Sequence, residues 1–208
     1  GAIADAVLAR DGGQVVLLLL AAGVGRGEAN LASTPVCELR LDGGERMVLA
    51  DSAAGRKVFT QALEEWKILI AIALAGLARE AVHVAAEYAC ERVAFGQPIG
   101  TYQGISHPLA DLITDIDGGK YFTWKAIHDI ANGLPDAGAQ ISLALWWNTS
   151  TASRAVVQSL HTFGGYGLST EYDIHLCNLR AQAWRLTFGG PSAWLAEAGR
   201  RLYAGAAA

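Results

Sequence analysis

Charge is scarce in this 208-residue chain: Asp, Glu, Lys and Arg together make up 17% of it, with a formal net charge of −4. So few basic residues on an acidic balance exclude a phosphate-backbone binder. A hydrophobic fraction of 52% excludes a disordered chain. There are three cysteines, Cys37, Cys90 and Cys177, with no CxxC or Cys/His spacing. That set excludes a disulfide scaffold and offers no ligand pattern for zinc or an iron–sulfur cluster. It predicts reduced thiols, a cytoplasmic setting and no metal site. The uninterrupted apolar runs, Val15–Val24 and Ile68–Ala78, are shorter than the ~20 residues of a membrane span. The opening GAIADAVLARDGG carries no basic n-region and no cleavage signature, so no signal peptide is expected. No GxSxG, P-loop, GxGxxG or HExxH string occurs.

What is abundant is glycine, with 24 copies, and alanine in every long segment. Small residues in this number point to helices packed closely or to backbone that cradles a ligand. The low charge predicts that part of the surface is covered by a partner.

Patterning divides the chain near residue 55. Before it, Gly12-Gly13 leads into the β-rich run Gln14–Leu20, Pro35–Leu41 alternates ahead of Asp42-Gly43-Gly44, and Glu45–Ala50 is a third short run. Asp-Gly and Gly-Gly turns between them predict antiparallel strands. After it, residues 56–94 lack proline and are apolar on most faces around Ile68–Leu77, which predicts a central helix about 55 Å long. Pro98 and Gly100 end it. Further helices are expected over about 104–132, 136–163, 174–186 and 191–203. Gly133-Leu-Pro-Asp136 is read as a capping turn and Gly164-Gly165-Tyr166-Gly167 as a tight loop. Gly118-Gly119 costs about 2 kcal/mol in helix propensity, so a kink or a close contact is expected there, and Gly76 is read as a helix contact. The fold class is mainly α with an N-terminal β portion: residues 1–54 as a partial β-domain, 55–208 as an antiparallel bundle of long helices.

Taken singly, the five histidines are packing or surface residues, and Glu87 and Glu91, four apart, form a solvated strip. Two longer segments say more. Residues 85–111 read AAEYACERVAFGQPIGTYQGISHPLAD, and residues 161–190 read HTFGGYGLSTEYDIHLCNLRAQAWRLTFGG. Together they resemble the acyl-CoA dehydrogenase family: the first its Y-x-x-x-R-x-x-FG-x-P-I-x-x-x-Q signature, the second its GG-x-G-x-x-x-E loop. The likeness runs from Gly55 to Tyr203, more weakly over Ala2–Ala50, and is to actinobacterial members in particular.

The resemblance implies FAD held between subunits of a dimer or tetramer, and an acyl-CoA thioester that loses an α-proton to a carboxylate and a β-hydride to the flavin. Carried over residue by residue, Arg92 falls on the arginine that reaches the FAD pyrophosphate, a contact that suits a planar guanidinium. Phe95 falls on an aromatic beside the cofactor, and Gln103 on a polar residue near its adenosine part. Gly164 and Gly165 match glycines whose backbone approaches the ADP moiety. His161 replaces the usual glutamine.

The chain departs from the family at the base. One family position falls on Phe188, within Thr187-Phe188-Gly189-Gly190; the other falls on Trp66. Glu65 is the neighbouring carboxylate, turned about 100° away around the helix. The helical domain and half β-domain that precede this region in the family are not among these residues. The reading is therefore a flavoprotein subunit represented by its C-terminal part: a fragment, or the base-less partner of a hetero-oligomer. The alternatives are a non-catalytic oligomerisation module that has lost FAD and a flavin monooxygenase on the same fold.

Overall fold

The computed structural model describes residues 4–20, 27–30, 34–39 and 45–203, with only the backbone of Phe188. Two compact units divide between Glu65 and Trp66.

In the first unit, β1 (Ala6–Asp11), β2 (Gln14–Leu19) and β3 (Glu45–Ala50) form an antiparallel sheet in that order. The β1–β2 turn closes on Gly12, whose φ of +54° suits glycine. Val15, Val16 and Leu18 of the central strand are buried. Arg46 on β3 reaches across to Asp11 and Gln14. Residues 35–39, the described part of the expected strand Pro35–Leu41, are not strand. The Asn30 side chain instead bonds both the Thr34 N–H and the Thr34 carbonyl, so these backbone groups are satisfied locally. Arg40 to Gly44, including the Asp-Gly-Gly turn, lie outside the described residues.

Helix α1 (Ala53–Glu91) begins in this unit and continues into the second. Gly55 is required near its start, since a Cβ there would lie 2.2 Å from the Ala50 Cβ.

The second unit contains α2 (Gln103–Ala131), α3 (Ala137–Phe163), α4 (Ile174–Trp184) and α5 (Pro191–Tyr203). Contacts between α2 and α3 run antiparallel: Asp115 meets Arg154 and Gly119 meets Asn148. The main core joins Leu74, Ala78 and Val82 of α1 to Leu112 and Ile116 of α2, Val156 of α3 and Ile174 of α4. Trp194 anchors α5 against Ala71 and Leu145. Alanine at 78, 81, 85, 152 and 155 is buried in the same core, which lets the helices approach closely.

One expectation is corrected and two are sharpened. Gly76 is exposed and a Cβ there would meet nothing within 4 Å, so no close helix contact requires glycine at this position. At Gly118-Gly119, α2 is unbroken, and the close contact falls on Gly119 alone. Asp136 precedes α3 but its side chain makes no capping bond; the turn is held by backbone, Leu134 N–H to Asp129 and Gln140 N–H to Asp136.

Apolarity also reads differently at helix scale. Although each uninterrupted run is short, α1 as a whole is long and apolar enough, by length and composition, to cross a membrane. Its stripe from Leu74 to Ala85 is spent in the bundle core, and a core helix of this kind meets the same criterion.

Candidate functional site: the junction of two motifs

The two motifs lie about 70 residues apart in sequence and meet at one end of the bundle. Tyr88 and Arg92 are four apart, so they share a face at the end of α1. Tyr88 stacks on Phe163, the last residue of α3, with centroids 4.1 Å apart and planes at 18°. The Arg92 guanidinium carbon lies 5.7 Å from the centre of the Tyr166 ring. Tyr172 completes the cluster edge-on, 5.2 Å from Phe163 and 6.0 Å from both Tyr88 and Tyr166.

Beyond Arg92 the chain makes a small hairpin, β4 (Val93–Ala94) against β5 (Gln97–Pro98). Phe95 and Gly96 form its turn with φ of +51° and +84°, the two left-handed residues of a tight hairpin. An aromatic in that conformation is strained by about 1–3 kcal/mol. Phe95 is 98% exposed, so no packing among the described residues offsets the strain. The hairpin is braced from behind. The Tyr102 hydroxyl donates to the Ala94 carbonyl at 3.1 Å, and the Ile99 N–H donates to the Arg92 carbonyl at 2.8 Å. Gln103 follows Tyr102, exposed, as the first residue of α2.

On the other side, α3 ends at Gly164, whose φ is +62° and whose N–H bonds the His161 carbonyl. A 3-10 turn, Gly164–Leu168, follows. Its glycines have different reasons. At Gly167 a Cβ would lie 2.9 Å from the Leu160 carbonyl oxygen, so packing demands glycine. At Gly164 and Gly165 a Cβ would meet nothing within 4 Å. Both are exposed, as is His161. Backbone left bare to open space is what a close-approaching ligand requires. Gly167 and the Tyr88–Phe163–Tyr172 cluster are the residues that sequence reasoning did not single out; the aromatic spacing around both motifs was the available signal.

The arrangement can receive an anionic group. Arg92 has no carboxylate partner among the described residues, lies on an aromatic face, and adjoins the turn that carries the bare glycines.

The other candidate positions stand apart. Glu65 is exposed and accepts a bond from the Gln61 side chain at 3.0 Å. Trp66 is half-buried. Phe188 lies in a 3-10 turn, Thr187–Gly189, and its side chain is outside the described residues. No group of three or more metal-ligating side chains occurs among the described residues. A groove of about 580 Å³ runs between α1 and α2, lined by residues such as Val82, Ala86, Leu109 and Ile113, with His83 and Cys90 also on its wall.

A small β-portion followed by a bundle of long helices is the fold of the C-terminal region of an acyl-CoA dehydrogenase. The model of the acyl-CoA dehydrogenase C-terminal domain matches residues 53–201, and the chain belongs to the acyl-CoA dehydrogenase family. It is 31% identical over 154 residues to a probable short/branched chain specific acyl-CoA dehydrogenase of Dictyostelium discoideum, covering 72% of this chain and 37% of that one. Among solved structures, the Tcur3481–Tcur3483 steroid ACAD, as a point variant, aligns with a TM-score of 0.83 at 28% identity, over 94% of this chain and 53% of that one. The ChsE4–ChsE5 complex from Mycobacterium tuberculosis aligns with a TM-score of 0.80 at 25% identity, over 96% and 56%. The chain thus spans between about a third and a little over half of the length of these relatives.

Proposed function

We propose that this chain is the C-terminal part of an FAD-dependent acyl-CoA dehydrogenase subunit and supplies the nucleotide-side wall of a flavin site. The observation that carries this reading is the Arg92 guanidinium over the ring of Tyr166, the residue that directly follows the bare Gly164–Gly165 backbone. When bound, FAD supplies the hydride acceptor for α,β-dehydrogenation of an acyl-CoA thioester. The chain's own residues bind and orient. Arg92 pairs with pyrophosphate oxygens, the bare glycine backbone admits the ADP part, Gln103 and His161 offer polar contacts, and Phe95 projects toward a neighbouring subunit.

The family's two base positions carry no carboxylate in this chain. Phe188 and Trp66 occupy the family's two base positions and neither can accept a proton. Glu65, the neighbouring carboxylate, is exposed and engaged by Gln61. The base then lies outside these residues, either in the rest of the same subunit or in a related subunit of a cytoplasmic hetero-oligomer. Two structural relatives, the ChsE4–ChsE5 complex and the Tcur3481–Tcur3483 steroid ACAD, each name two components, which supports the hetero-oligomer. Apolar side chains left exposed on α1 and α2, Leu69, Ile72 and Trp124, favour a second reading, a purely structural assembly module.

Flavin content separates the two. The full-length protein, purified with its co-expressed subunits and saturated with FAD, should retain flavin absorbance through gel filtration. A colourless preparation refutes the flavin reading and leaves the assembly module.

A further inference from the structure

We propose that Tyr166 is a positioning residue for Arg92, holding its guanidinium in place for a diphosphate; this rests on the FAD reading above. Three observations point to it. The guanidinium lies over the Tyr166 ring at 5.7 Å, within the range of a cation–π contact. Among the described residues no carboxylate pairs with Arg92, so the ring is its anchor. Arginine stays charged on an aromatic face, because the ring offers electron density without neutralising the cation, so its N–H donors remain available to an anion. A carboxylate at the same place would occupy those donors and repel the phosphate.

Tyr166 is itself fixed in place, although 48% exposed. Its ring meets Tyr172 edge-on at 6.0 Å, and Tyr172 is wedged against Tyr88 and Phe163. The Tyr166 carbonyl accepts from the Ser169 N–H at 3.0 Å. Just after it, Gly167 presses the turn against the last turn of α3. The helix face that offers Tyr88 to Phe163 therefore offers Arg92 to Tyr166 three residues later, two rungs of one ladder. Side chain and bare glycine backbone are held in register by the same turn, so Arg92 pays little ordering entropy on binding.

The experiment uses the full-length protein with its co-expressed subunits and reads the FAD dissociation constant, with helical circular dichroism as the folding control. Tyr166→Phe keeps the ring and should bind within about 2-fold of wild type. Tyr166→Leu removes it and should weaken binding about 2- to 30-fold. In an Arg92→Ala background, Tyr166→Leu should have no further effect. A role in merely shaping the turn would weaken binding equally in both backgrounds, and that result overturns the proposal. Stepwise fluorinated phenylalanines at position 166 keep shape and fold while draining the ring's electron density. Affinity should fall step by step with fluorination, and a flat series also overturns the proposal. A wild-type preparation that binds no FAD defeats the underlying flavin reading instead. Binding by wild type with an unchanged Tyr166→Leu defeats Tyr166 alone.

Discussion

Adjacent glycines in α2 should answer alanine substitution with opposite signs. At Gly118 an added Cβ would lie 3.4 Å from the Trp147 ring, an ordinary contact. Gly118→Ala should therefore gain the helix propensity of alanine and stabilise by up to about 1 kcal/mol. At Gly119 the added atom would lie 2.2 Å from Asn148 Oδ1, 3.0 Å from its Cγ and 3.1 Å from Trp147 Cδ1. Asn148 cannot swing aside cheaply. It is 1% exposed, and its Nδ2 donates to the Gly119 carbonyl, the Thr123 hydroxyl and the Ala144 carbonyl at 3.2, 2.9 and 2.9 Å. Overpacking of a tight core costs about 1–3 kcal/mol, and a buried amide deprived of partners costs about 1–3 kcal/mol more. Against the propensity gain, Gly119→Ala should destabilise by roughly 1–5 kcal/mol. For a chain of this size that lowers Tm by about 2–20 °C. Thermal and urea unfolding measure both variants. In an Asn148→Ala background the cost of Gly119→Ala should shrink, because the clashing atoms are gone. Equal stabilisation at both glycines, or an unchanged cost in that background, would refute the assignment of the contact.

The site gives a separable pair: Gly165→Ala meets open space and should leave Tm unchanged within about 2 °C while weakening FAD binding, whereas Gly167→Ala, blocked by the Leu160 carbonyl, should lower Tm. Equal Tm losses would show that Gly165 is a packing residue. Arg92→Ala should reduce flavin per subunit after gel filtration with the helical circular dichroism intact; unchanged flavin content removes Arg92 from the site. Glu65→Gln should leave dehydrogenation by the assembled enzyme within about 2-fold, and a collapse in turnover would make Glu65 the base. Burial, with Glu80 and Asp173 adding to it, raises the Cys177 thiol above its ordinary value of 9.0. Between those two values the unfolded chain has released a proton that the folded chain keeps, so stability should fall as pH rises through that window. Cys177 should also alkylate more slowly than the exposed Cys90; mass spectrometry of a time course at pH 8 reads the order.

Legibility followed the physics of each segment. The helices could be placed to within a few residues because their punctuation is local: Pro98 and Gly100 after α1, Gly133 before α3, Gly189-Gly190-Pro191 before α5. Pro35–Leu41 misled because alternation describes side chains, while Asn30 decides where the Thr34 backbone bonds. The Phe95-Gly96 hairpin passed unseen, since four strand residues give no periodic signal.

Sequence by itself determined the family, the helical class and the individual candidates Arg92, Phe95, Gln103, His161, Gly164 and Gly165, because motif residues at fixed spacing survive without coordinates. It also showed that Phe188 and Trp66 cannot act as bases, since that follows from side-chain chemistry. Only the tertiary structure decided which glycine serves which purpose. Gly76, Gly118, Gly119, Gly165 and Gly167 look alike in sequence, and the difference among them is the distance from an absent Cβ to the nearest atom of another segment. The same holds for Arg92 and Tyr166. Their contact joins residues 74 positions apart, and no local pattern encodes a distance that the packing of α1 against the end of α3 creates.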